Sequence, residues 1–143
     1  MPGIDECLSE AMAVPGALGA ALVDWSSGLA LGTAGESPVG DHETTAAETA
    51  ELARAAAEYE SFAPGPATAP GTSATDPDAP PGPQGPPLED VIVTTRTGYH
   101  VLRFVETSFD SSVFLHLWLD RTEGNLALAR IRLRDLAGEL VLG

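Results

Sequence analysis

Val113-Phe114-Leu115-His116-Leu117-Trp118-Leu119 is apolar at six of seven positions, and after a short polar break comes Asn125-Leu126-Ala127-Leu128-Ala129-Arg130. A run without alternation is what a strand covered on both faces requires. Asn125 is a natural N-cap for a helix reaching about Leu142. Leu126, Ala129, Leu133, Leu136, Ala137 and Leu140 fall on one face of that helix. Arg130 and Arg134 lie one turn apart, off that face. Upstream, Val91-Ile92-Val93-Thr94-Thr95 is β-branched and strand-like. Arg96-Thr97-Gly98 makes a tight turn, and Tyr99 to Glu106 returns as a second strand. Phe109-Asp110-Ser111-Ser112 turns the chain into the apolar run. Three strands in succession form a meander that feeds the last helix.

The N-terminal half repeats the theme. Ile4, Cys7, Leu8, Ala11 and Met12 recur at helical spacing, so Ile4 to Ala13 reads as an amphipathic helix, stopped by Pro15 and Gly16. Ala17 to Val23 reads as a buried central strand. Asp24-Trp25-Ser26-Ser27-Gly28 is a turn, and Leu29 to Gly32 the returning arm of a hairpin. A second helix spans about Asp41 to Phe62, with Asp41 as its cap and Thr45 with Glu48 as an internal capping box. It carries two apolar stripes: Ala46, Ala50, Ala53 and Ala57, and Leu52, Ala56 and Tyr59. A helix on one sheet needs a single stripe, so the all-alanine one invites close approach of another helix, although alanine is also simply the best helix former.

Residues 63–87 break the pattern, holding nine of the twelve prolines. Such a stretch cannot bury enough apolar surface to offset its ordering entropy, and it reads as a linker. The expected architecture is therefore α/β (α+β): one domain over 1–143 with a Pro-rich insert at about 63–87. Its single five-stranded antiparallel sheet carries helices on its faces, in the order α-β-β-α-β-β-β-α.

Composition narrows the function. The net charge is -14, and Arg54 is the only basic residue before position 91. An acidic surface repels phosphate backbones and anionic lipids, so neither nucleic acid nor membrane is an expected partner. No run approaches the length of a membrane span, and nothing at the N-terminus resembles a signal peptide, which points to the cytoplasm. The lone Cys7 cannot form an internal disulfide.

The chain has no lysine, so neither a P-loop nor Schiff-base chemistry is available. His42-Glu43 opens like a zinc-protease helix, but the second ligand position, one turn on, is Ala46. His100 and His116 fall on different strands, and three scattered histidines with one cysteine are poor zinc ligands. His116 reads instead as a satisfied histidine under a covered face. Ser26 and Ser27 sit in a hairpin turn rather than a nucleophile elbow. Cys7 lies on a core face beside Asp5 and Glu6, which disfavour its thiolate. Glu89 and Asp90 are strand neighbours and point to opposite faces. No dinucleotide fingerprint is present. No catalytic residue, cofactor or metal site is expected.

The element order, with Glu89-Asp90-Val91-Ile92-Val93, Gly98-Tyr99-His100-Val101-Leu102, Phe114-Leu115-His116-Leu117-Trp118-Leu119-Asp120, Asn125-Leu126-Ala127-Leu128-Ala129-Arg130 and Val14 to Asp24, resembles the Roadblock (dynein light-chain) family. The resemblance spans most of the chain outside residues 63–87. It implies a non-catalytic scaffold or regulator of small Ras-like GTPases, acting as a homodimer, as in the bacterial branch. The alanine stripe (Ala46, Ala50, Ala53, Ala57) and the short strand Val91-Ile92-Val93 are the expected dimer contacts, the strand because a sheet edge offers unpaired backbone groups. Arg96, in a hairpin turn, is the expected partner contact, against the plain alternative of a solvated turn residue. Two other readings are a small-molecule-sensing domain of the PAS or profilin-like sort, and a pure scaffold without a GTPase.

Overall fold

The computed structural model describes residues 3–62, 88–105 and 112–140. The expected linker at 63–87 and most of the turn at 109–112 lie outside the described residues. The elements follow the expected order: α1 Ile4–Met12, β1 Ala17–Asp24, β2 Leu29–Gly35, α2 His42–Glu58, a 3-10 turn Glu60–Phe62, β3 Asp90–Thr94, β4 Gly98–Val105, β5 Val113–Asp120 and α3 Leu126–Glu139. The five strands form one antiparallel sheet in the order β2-β1-β5-β4-β3. β5, the apolar run, is therefore the middle strand, covered on both faces as its composition requires.

The two sheet faces carry different helices. On one face α1 and α3 bury Cys7, Leu8, Ala11, Leu133 and Leu136 against Ala20, Leu22, Val101, Leu115, Leu117 and Leu119. On the other, α2 sets Ala46, Ala50 and Ala53 against Ala21, Val23, Leu102, Phe104 and Phe114. Small residues set the distances. A Cβ at Gly32 on β2 would stand 2.6 Å from Ile4 Cγ2 and 3.0 Å from Leu8 Cδ1, so its absence lets α1 lie low on the hairpin. Gly16 turns the chain from α1 into β1 at φ +83°, and there a Cβ would meet the Gly124 backbone at 2.5 Å. That contact brings the start of β1 against the turn before α3, and Asp120 N–H donates to Gly16 O at 2.8 Å.

Caps behave as the sequence predicts. Asp41 accepts from Glu43 N at 3.1 Å and Asn125 from Leu128 N at 3.0 Å. Thr45 does not start a capping box. Its hydroxyl is buried and pairs with Ser37 Oγ at 2.8 Å, tying α2 to the loop before it. Three bounds differ from expectation, and one is α3, which ends at Glu139 with Leu140 extended rather than reaching about Leu142. β2 runs on to Gly35, because Gly32 serves close packing rather than ending the strand. α2 ends at Glu58, and Tyr59 is extended. Beyond that point the apolar side chains no longer reach the sheet, and exposed Tyr59 and Phe62 pack edge-to-face, 6.0 Å apart.

Candidate functional site

The alanine stripe of α2 lies inward on the chain's own sheet. Ala46, Ala50 and Ala53 are at most 1% exposed because they rest on the chain's own sheet, with Ala57 half-buried behind them. The physical reason is size: only methyl groups let α2 settle onto a face already filled by Phe104 and Phe114. Of the other stripe, Ala56 is buried, while Leu52 at 40% and Tyr59 at 57% exposure stay open.

Leu52 forms one wall of a groove of about 310 Å³ between α2 and the β3–β4 ribbon. Val39, Thr49, Val93, His100 and Leu102 also line it. β3 is the sheet edge at the groove's far side. Phe104 N–H donates to Glu89 O at 3.0 Å and Thr95 N–H to Gly98 O at 2.8 Å. Antiparallel pairs alternate, so Glu89, Val91, Val93 and Thr95 bond inward to β4. The backbone groups of Asp90, Ile92 and Thr94 then point outward, and no described strand pairs with them. Val91 and Val93 face the α2 side, while Ile92 packs under α3, all three half-buried.

Arg96 sits at the end of this edge in a firmly held turn. Thr95 Oγ1 accepts from Gly98 N–H at 2.9 Å. From beneath, Arg121 N–H donates to Thr97 O at 3.0 Å and Arg121 Nη1 to Thr95 O at 2.9 Å. The Arg121 guanidinium also lies 5.1 Å from the Tyr99 ring centroid. Arg96 itself is exposed and makes no hydrogen bond or ion pair with another described residue.

Sequence reasoning missed a histidine pair. His100 and His116 sit diagonally on β4 and β5, with His100 Nδ1 2.9 Å from His116 Nε2. Their rings are nearly coplanar, and Trp118 lies parallel to His100 at 6.3 Å. Burial pushes His116 down to about 3, with help from His100 and His42 nearby; burial also lowers His100. The pair is a neutral hydrogen bond under α2. Among the described residues no group of three His, Cys, Asp or Glu is placed to hold a metal ion. Cys7 is buried, and that burial, then Glu10 and Glu139, raises its thiol to about 11. The carboxylates that matter are these two, not the Asp5 and Glu6 expected from sequence. The space between α2 and the sheet beside His116 and Trp118 is about 10 Å³, room for at most about one water. A ligand of the PAS or profilin kind has no cavity there.

A five-stranded antiparallel sheet with one helix on one face and two on the other, in this order, is a Roadblock-like fold. Among solved structures it resembles Myxococcus xanthus MglB, with 18% sequence identity and a TM-score of 0.63 over 95% of this chain and 80% of that one. By sequence, the chain matches no family profile and no curated protein. No described helix is long and apolar enough to cross a membrane.

Proposed function

We propose that the chain is a non-catalytic regulatory protein, one domain interrupted by a linker at 63–87, that dimerises and binds a small Ras-like GTPase in the cytoplasm. The observation that carries this reading is a Roadblock-like fold whose β3 edge, unpaired by any described strand, lies beside an apolar groove along α2. Pairing two β3 strands about a two-fold axis occupies the outward groups of Asp90, Ile92 and Thr94 in both copies. It also brings two α2 helices together over Leu52, Val93 and Val39, the apolar surface that one chain leaves exposed. Ala46, Ala50 and Ala53 support that contact from behind rather than forming it. The absence of lysine from the sequence, and of a nucleophile held by a base among the described residues, fits a partner of an enzyme better than an enzyme. The likeness to MglB supports the GTPase assignment at the level of fold.

Activation has two routes. Arg96, exposed on a rigid turn, can act as an arginine finger, which contributes ~10³–10⁵ in rate where it operates. Alternatively the dimer surface holds the GTPase's own residues in place. The test is GTP turnover by a small Ras-like GTPase from the same organism, with and without the protein, together with direct binding. Acceleration lost in Arg96→Ala selects the finger, and acceleration that survives selects positioning. Binding without acceleration leaves a scaffold, and no binding in either nucleotide state refutes the reading.

A further inference from the structure

The open edge reads Glu89-Asp90-Val91-Ile92-Val93-Thr94-Thr95-Arg96, with carboxylates at its start and a guanidinium in the turn that ends it. These charges differ in what satisfies them. Asp90 is held by Arg130 from α3, through Nε to Oδ2 at 2.9 Å and Nη2 to Oδ1 at 3.4 Å. Glu89 is exposed in the bend before β3, and its carboxylate makes no hydrogen bond or ion pair with another described residue. The same holds for the guanidinium of Arg96. Each chain therefore presents a free carboxylate and a free guanidinium at opposite ends of one unpaired strand. Such an edge is complementary to an antiparallel copy of itself.

Backbone parity limits how two copies can meet. Asp90, Ile92 and Thr94 carry the outward groups, so antiparallel copies bond only in registers that set these residues against one another. Centred on Ile92, all three bond in each copy, with Asp90 opposite Thr94 of the second copy. A slip toward the strand start gathers the carboxylates of Glu89 and Asp90 from both copies, which repel. A slip toward its end leaves the outward groups of Asp90 facing a turn. In the centred register Arg96 falls opposite Leu88 of the second copy, one residue from its Glu89. We propose that two copies pair in this register, with Arg96 of each bound to Glu89 of the other, so that an ion pair closes both ends of the seam. Resting on the dimer reading, this assignment places Arg96 in the seam, and the turnover assay of Arg96→Ala needs that variant's mass beside it.

The test is sedimentation equilibrium of the full chain and of two charge reversals at these exposed positions, Arg96→Glu and Glu89→Arg, separately and mixed. Either variant alone sets like charges together at both ends of its homodimer, and its dissociation constant should rise about ten-fold. Net charge alone would instead tighten the Glu89→Arg homodimer, because that chain is less acidic. Mixed in equal amounts, the two variants restore opposite charges at both ends, and their heterodimer should form within about three-fold of the wild-type affinity. A wild-type mass that stays at 14.7 kDa overturns the dimer reading and this pairing together. A wild-type dimer that either reversal leaves unweakened, or a mixture that associates no more tightly than the separate variants, overturns the pairing alone.

Discussion

His116 shows how one buried side chain ties stability to pH. Its folded pKa is near 3, against an ordinary 6.5, because burial disfavours the imidazolium. The unfolded chain therefore binds more protons between those values. The stability due to neutral His116 is complete above about pH 6.5 and drains away as pH falls toward 3. His42 from α2 and His100 from β4 face it and oppose its charging further; Glu36 and Glu48 line the flanking clefts. Urea denaturation from pH 7 to 4.5 should show stability falling with pH, and His116→Phe should flatten that slope. An unchanged slope in the variant would place the titration elsewhere. Gly16 makes a second residue-scale prediction. With φ at +83° and the Gly124 backbone against its missing Cβ, Gly16→Ala should cost about 1–3 kcal/mol in thermal or urea unfolding. The histidine pair was not legible in the sequence, because contact between residues sixteen apart depends on strand register. Nothing in the local pattern at His100 or His116 reveals that register.

At the scale of elements, legibility followed periodicity. α3 is the clear case: the face read from Leu126 to Leu140 is the face buried, and Asn125 is its cap. Asn125→Ala should therefore destabilise the protein by about 1 kcal/mol without altering the native spectrum; a silent substitution would deny the cap its role. α2 was legible as a helix but not in orientation. Alanine offers little transfer energy, so a stripe of four methyls and a stripe with Leu52 and Tyr59 compete on shape as well as hydrophobicity. Here shape decided, because Phe104 and Phe114 leave room only for methyl groups. The consequence is a contrast between two substitutions. Ala50→Glu, which puts a charge where there is no exposure, should unfold the chain rather than merely split a dimer. Leu52→Glu should leave the fold intact and weaken the dimer. Circular dichroism with sedimentation velocity separates the two effects.

Across the whole molecule, charge and edges carry the functional account. All of the excess negative charge lies in residues 1–90, and six arginines balance six carboxylates after that. A basic partner is drawn to the N-terminal half, so its association rate should fall steeply as salt rises from 50 to 500 mM, while dissociation changes little. A salt-independent association rate would remove electrostatic steering from the account. The sheet order was only partly legible. The meander of β3, β4 and β5 could be read from consecutive strands. The placement of β5 against β1 rests on pairing between residues about a hundred apart. The most direct test of the regulatory-dimer reading is the mass in solution of the chain, alone and mixed with a small Ras-like GTPase, by light scattering at micromolar concentration. The account predicts twice 14.7 kDa for the chain alone, and a heavier complex in one nucleotide state of the GTPase. A mass of 14.7 kDa that persists as concentration rises, with no complex in either nucleotide state, would contradict it.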